Sequence, residues 1–343
     1  MSATRTPNGR NGLNGLLAAA FTAAAAVVAT GHPAAGQNMP PPAFHHLHLN
    51  SVAPDAAIAF YTRQFPSTSP ASWGGFPALK SPNNVMVLFT KVDLAPPILP
   101  QTAIWHFGWH VTDVRTNLAT YKSRPEVRLA PLFTSEEGGS ALVSSDTWPG
   151  TGGILGLTKA QIANARAEGV KPAGGAGFAY MRGPDDALIE YQGNFPAERF
   201  NHVHMYQEEP FCAQLWYQTH LGGAVSGNQA PARTEANCKV ARGPDRTWPA
   251  LEQDGMYRTP SSAVTFGDVA LTWYMRQGER PLAGTRGHLY DHIALSVADL
   301  DPWIAKLRGE GVVFLEGPYR LGDTRAVMIE GPSREAIELV EVK

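Results

Sequence analysis

The residues best suited to chemistry in this chain are histidines, and they recur at matched positions. His46, His106, His202 and His292 each stand near the start of a short alternating stretch. In the first three a tyrosine follows fifteen positions later (Tyr61, Tyr121 and Tyr217), and in the fourth Leu307 takes that place. The stretches read FHHLHLNSVAPDAAIAFY from Phe44, IWHFGWHVTDVRTNLATY from Ile104, FNHVHMYQEEPFCAQLWY from Phe200 and LYDHIALSVADLDPWIAKL from Leu289. The first and third begin with H-x-H, as His46/His48 and His202/His204. The second and fourth copies end in G-P-x-x-x-x-I-E, which supplies Glu190 and Glu338. Two imidazoles and one carboxylate leave open positions on a divalent ion, an arrangement suited to Fe2+ and also usable by Zn2+, Mn2+ or Ni2+. Such an ion can polarise a carbonyl, activate O2 or stabilise an enediolate.

The elements that position these groups form a repeat of strand, helix and about three further strands. Each copy opens with period-two alternation and passes into a helical pattern. Hairpins close the copies: Phe76 to Leu79 with Val85 to Val92, Gly177 to Arg182 with Ala187 to Gln192, and Arg325 to Glu330 with Ala336 to Val342. Pro, Gly and Asn punctuate their turns, as turn geometry requires. The alternation of H-x-H and G-P…I-E copies predicts a tandem duplication of a two-unit domain. The expected boundary falls near Phe195 to Arg199. A first domain over 37–195 carries an insertion at about 136–175, with a short helical stretch from Lys159 to Glu168; a second covers 196–343. If consecutive copies pair, His46, His106 and Glu190 come together, as do His202, His292 and Glu338. Strand alternation also points His48 the same way as His46, and His110 the same way as His106.

The chain has 343 residues, 43% hydrophobic and 17% charged, with a formal net charge of −2. There is no basic excess to neutralise phosphates, so nucleic-acid binding is not expected. The abundance of Gly (34) and Pro (28) favours a β-rich chain over a helical bundle. Arg5 and Arg10 precede an uncharged stretch, Leu16 to Ala29, and small residues at Ala34 and Gly36. This reads as a secretory signal over 1–36 and predicts a secreted or periplasmic protein without a membrane anchor after cleavage. In such a compartment Cys212 and Cys238 are expected to pair.

The openings with His46, His106 and His202 fifteen positions before Tyr61, Tyr121 and Tyr217, and the G-P-x(4)-I-E endings, resemble the vicinal oxygen chelate superfamily. That superfamily includes glyoxalase I, type I extradiol dioxygenases and the bleomycin- and fosfomycin-resistance proteins. The resemblance implies an α+β fold of four βαβββ modules paired into two cupped barrels. It also implies metal ligands at His46, His106 and Glu190, and at His202, His292 and Glu338. Glyoxalase-type sites add a second Glu from the other module; here Leu88 stands in that place, and Ala270 to Trp273 holds no Glu either. That favours a three-ligand, dioxygenase-like site. Tyr180 lies ten positions before Glu190, where extradiol enzymes carry a tyrosine, whereas Met328 occupies that place before Glu338. Tyr180, His48 and His110 are accordingly the expected catalytic residues.

The expected function is a metal-dependent enzyme, dioxygenase-like or lyase/isomerase-like, acting on a small oxygenated molecule. The competing readings are a small-ligand-binding protein of the resistance type and a structural relic with vestigial ligands. Self-association is left open. Tyr61, Tyr121 and Tyr217 are expected in the core, and Trp105, Trp109, Trp216 and Trp273 in the core or a pocket wall. Asp185-Asp186 is expected to be a simple turn.

Overall fold

The computed structural model describes residues 39–130, 132–133, 140–141, 167–169, 178–193, 195–225, 233–240, 261–276 and 280–343. The leader expected at 1–36 and nearly all of the 136–175 insertion lie outside these residues. The first module comprises β1 (Ala43–Ser51), α1 (Pro54–Gln64), β2 (Ser69–Trp73), β3 (Phe76–Lys80) and β4 (Met86–Lys91). The second holds β5 (Ile104–His110), α2 (Val114–Lys122), β6 (Arg128–Ala130), the two-residue strands β7 (Leu132–Phe133) and β8 (Ser140–Ala141), β9 (Phe178–Arg182) and β10 (Leu188–Gln192). The third holds β11 (Arg199–Gln207), α3 (Pro210–Leu221), β12 (Ser261–Phe266) and β13 (Val269–Met275). The fourth holds β14 (Tyr290–Val297), α4 (Leu300–Gly309), β15 (Phe314–Leu321), β16 (Thr324–Glu330) and β17 (Ala336–Glu341). The expected hairpins are therefore present as β3–β4, β9–β10 and β16–β17. Their turns contain left-handed residues, Asn84, Asp185 and Arg334, at φ of 64°, 54° and 63°.

Two large sheets result. One runs β15-β16-β17-β14-β1-β4-β3-β2, and the other β12-β13-β11-β5-β10-β9-β6. In each module the first strand pairs in parallel with the last, which leaves its other edge free for a first strand from elsewhere. β1 takes β14 and β5 takes β11, both antiparallel. The modules thus pair first with fourth and second with third, not consecutively. The expected barrels over 37–195 and 196–343 are corrected accordingly, because each sheet draws on both segments. The connectors account for this choice. The short link 193–198 keeps β10 and β11 in one sheet, whereas the longer links 92–103 and 276–289 carry the chain across to the other sheet and back.

The helices cover the sheet faces with the predicted aromatics. Tyr61, Tyr121 and Tyr217 are all buried. Phe65, at the end of α1, stacks on Trp109 of β5 at 4.2 Å, and Tyr217 of α3 meets Trp273 of β13 at 4.7 Å. Trp109 and Trp273 are core, Trp105 is buried in a separate aromatic cluster, and Trp216 is half-buried beside His220. The Gly-Pro turns fasten one sheet to the other. Asp185 accepts from Ser51 Oγ at 2.5 Å and from the Val52 amide at 3.1 Å. At the matching place, Gln207 donates to Ser333 Oγ at 2.9 Å and Tyr217 donates to Glu335 at 2.7 Å. Asp185 is thus more than a turn residue. The Cys212–Cys238 disulfide is formed, and it ties α3 to the chain that follows it.

Candidate metal centres

β1 and β11 carry the H-x-H pairs, and alternation puts both rings of a pair on one side of the sheet. In each ladder the register shifts on both flanks of the pair: between Phe44/His46 and His48/Leu49, and between Phe200/His202 and His204/Met205. Such bulges re-aim side chains, and their repetition at the same two places shows that the two sheets are built alike.

In the eight-stranded sheet, His46 Nε2 lies 3.4 Å and His292 Nε2 lies 3.8 Å from Glu338 Oε2. All three atoms are buried without a hydrogen-bond partner. Their other polar atoms are engaged. His292 Nδ1 donates to Asp291 Oδ1 at 2.7 Å, His46 Nδ1 shares a proton with His45 Nδ1 at 2.8 Å, and Tyr319 donates to Glu338 Oε1. His48 lies against both rings, with centroids 5.9 Å from His46 and 4.6 Å from His292, and its Nε2 bonds Thr90 Oγ1 at 2.7 Å. Trp73 and Phe76 form an aromatic wall, 5.5 Å from His46 and 4.7 Å from His48. Beyond Trp73 opens a cavity of about 600 Å³, bordered by Ser72, Arg320, Leu321, Thr324 and Lys343.

The second centre lies in the seven-stranded sheet. His106 Nε2, His204 Nδ1 and His202 Nε2 stand 2.9, 3.6 and 3.8 Å from Glu190 Oε2. Their four donor atoms lie within 4.8 Å of one another. His202 Nδ1 meets Asn201 Oδ1 at 3.0 Å. Tyr180 hydrogen-bonds Glu190 from the neighbouring strand, opposite it in the ladder. Gly108 faces His202 across the β5–β11 ladder, and a Cβ there would collide with the imidazole, 2.5 Å from its Nε2.

The six expected ligands therefore do cluster, but in a different grouping. His46 meets His292 and Glu338, and His106 meets Glu190 and His202, because β1 pairs with β14 and β5 with β11. His48 and Tyr180 each lie beside a centre, though not the same one. His110 joins neither: its ring stacks on Phe195 at 3.4 Å, at the end of β5. Other residues at the centres went unforeseen. His204 was visible in the second H-x-H. Asp291 and His45, like Asn201, immediately precede a ligand histidine and engage its Nδ1, a pattern legible in the sequence. At the fourth such position Trp105 offers no acceptor, and His106 Nδ1 is buried without a partner. Tyr319 fills the role that Met328 cannot, reaching Glu338 from β15, one strand further out.

Burial dominates the electrostatics. It holds the imidazoles of His46, His106 and His202 well below the usual histidine range and His204 at about 3. These rings are neutral at pH 7, the form that ligates metals. Burial also pushes both carboxylates upward, with His204 opposing it at Glu190 and His292 at Glu338. A buried carboxylate beside neutral rings is costly unless a cation offsets its charge. His46 Nε2, His292 Nε2 and Glu338 Oε2 are buried without partners, and His46, His48 and His292 offer ligand atoms within 4.8 Å of one another, so these residues fit a metal.

Comparison with known proteins agrees with this architecture. Residues 199–339 match the family model of the Glyoxalase/Bleomycin resistance protein/Dioxygenase superfamily. Over that stretch the chain resembles this superfamily, and its α+β architecture is similar to the glyoxalase I fold. Among solved structures it is similar to a single-site mutant of glyoxalase I from Zea mays, with a TM-score of 0.55 at 15% identity over 88% of this chain and 92% of that one. Glyoxalase I from Zea mays itself gives 0.53 at 13% identity, over 88% and 92%. A candidate dioxygenase from Bacillus subtilis subsp. subtilis str. 168 gives 0.52 at 9% identity, over 88% and 86%. At these identities the likeness is one of fold. No curated protein matches the sequence.

Proposed function

We propose that this chain is an exported metal-dependent enzyme, dioxygenase-like or lyase/isomerase-like, that acts on a small oxygenated molecule at the His46/His292/Glu338 centre. The observation that carries the reading is the convergence of three buried, unpartnered ligand atoms whose remaining polar atoms are already held. Fe2+ suits two imidazoles and one carboxylate best. When bound, the ion supplies Lewis-acid polarisation of a substrate oxygen. The protein's own groups do the rest. Asp291, an acceptor only, fixes the tautomer of His292 so that it presents Nε2, and His45 engages His46 Nδ1 and leaves its Nε2 facing the centre. Tyr319 orients Glu338 so that Oε2 faces the rings. His48, held neutral by burial and anchored through Nε2 to Thr90, lies against the rings of His46 and His292 and lines the centre. Trp73 and Phe76 offer an apolar wall to the substrate body. Export is supported by the Leu16 to Ala29 stretch and by the Cys212–Cys238 bridge.

The test is metal analysis of protein purified with Fe2+, Zn2+, Mn2+ and Ni2+ offered in turn, beside assays of catechols and 2-oxoaldehydes. Bound metal, with turnover lost in Glu338→Gln, is expected. Wild-type protein that takes up none of the four ions sinks the reading. Tight binding of a small ligand that survives removal of metal points instead to sequestration.

A further inference from the structure

We infer that the two centres differ in kind: His106, Glu190, His202 and His204 form a closed, four-ligand site for a structural ion of the Zn2+ type, and only the His46 centre keeps open positions. This rests on the metal reading above and goes beyond it. The two H-x-H pairs are equivalent by register, His48 standing opposite Leu88 and His204 opposite Thr272. What separates them is the residue two further along the partner strand. In β4 this is Thr90, and its hydroxyl holds His48 Nε2 at 2.7 Å. In β13 it is Tyr274, whose ring lies edge-on to His204 with centroids 5.2 Å apart. His204 Nδ1 is left buried and without a partner, 3.6 Å from Glu190 Oε2.

The ring geometry follows the same division. His202 and His204 stack with centroids 4.2 Å apart, whereas His46 and His48 stand 5.9 Å apart. At the His106 centre three imidazoles and the carboxylate form one set of mutually close donors, while the set that contains His48 does not include Glu338. The surroundings differ too. Trp105, Tyr180, Leu188, Tyr206 and Leu282 make a buried cluster at the His106 end; at the His46 end Trp73, which borders the cavity, packs with Phe76 on the smaller cluster of Ala78, Met86 and Leu88. Four protein ligands with no vacant position are the mark of a structural zinc site, and three with a vacancy that of a catalytic one. An ion held by β5, β10 and β11 would pin the second module to the third, and metal binding of that kind adds directly to folding stability.

The experiment loads full-length Glu338→Gln protein with Co2+ as the probe and follows its visible absorption on addition of azide. One Co2+ per chain, a spectrum indifferent to azide, and a raised melting temperature are expected. Glu190→Gln protein, which keeps only the His46 centre, should shift its spectrum with azide. In the Glu338→Gln background, His204→Ala should weaken Co2+ binding at least about tenfold, the lower bound for an outer-shell partner, and should make the spectrum azide-sensitive. His204→Gln, which nearly keeps the side-chain volume, guards against loss through misfolding. Unchanged affinity and azide indifference in both His204 variants overturn the inference. So does an azide response in the Glu338→Gln protein itself. If that protein binds no Co2+ while Glu190→Gln does, this inference fails and the proposed function stands; if neither binds, both fail.

Discussion

Gly108→Ala tests the construction of the His106 centre most directly. The new Cβ would collide with His202 Cε1 and stand 2.5 Å from His202 Nε2 and 2.7 Å from the backbone oxygen of Glu190. Ordinary contact begins near 3.4 Å, so the imidazole must withdraw by about 1 Å, and the ladder carbonyl cannot yield without breaking its strand. Overpacking of this kind costs roughly 1–3 kcal/mol of stability. The same displacement moves His202 Nε2 away from Glu190 Oε2, and affinity for an ion there should fall by at least the roughly 10–100-fold that a misplaced outer-shell partner costs. Ala294 occupies the matching position opposite His46, so a methyl group is tolerated in one centre and not in the other. The assay is chelator-competed metal binding in the Glu338→Gln background, with urea unfolding of the same protein. Gly108→Ala protein that unfolds at the wild-type midpoint and binds metal with wild-type affinity would refute the account of this centre.

Other expectations follow from the same contacts. Asp291→Asn removes the carboxylate that accepts from His292 Nδ1 and should weaken metal binding at the His46 centre by about 10–100-fold, as read by competition in the Glu190→Gln background. Burial raises the Glu335 carboxyl to about 7. Its folded value lies above its unfolded one, so its contribution is fully present below about pH 4.5 and is lost as pH rises through about 7. The shift corresponds to about 3 kcal/mol, so urea midpoints of the wild type should fall between about pH 5 and 8 more steeply than those of Glu335→Gln; parallel profiles would count against it. Replacing both Cys212 and Cys238 by Ser removes a cross-link spanning 26 positions and should cost about 3 kcal/mol, measured by unfolding with and without reductant.

Much of the fold was legible because the repeat is written in residues whose physics is local. Pro, Gly and Asn marked the three hairpin turns, and the apolar alternation around Glu190 and Glu338 marked their strands. The ligand identities were legible for the same reason, since histidine and glutamate inside buried strands demand a partner. The pairing of modules was not. All four opening strands present the same free edge and the same alternation, so His46 could have met His106, His202 or His292 equally well by pattern. The lengths of 92–103, 193–198 and 276–289 held the answer, but only as a constraint on how far the chain travels between sheets. Tyr319 escaped for another reason. It reaches Glu338 from outside the hairpin that carries the glutamate, and periodicity within one hairpin cannot report on its neighbour. His110 misled because alternation predicts a facing direction and not a distance along the strand.

The first-with-fourth pairing also sets an order of assembly. β5, β10 and β11 are close in the chain, so the His106 centre can form as soon as the third module has been made. The His46 centre joins β1 to β14 and β17 across nearly the whole polypeptide, and contacts of such long range close late. Until the last module arrives, β1 waits with an open edge that any other strand could occupy. A chain shortened before Tyr290 would thus retain one complete ligand set and lose the other, and the half it loses is the half to which we assign the chemistry.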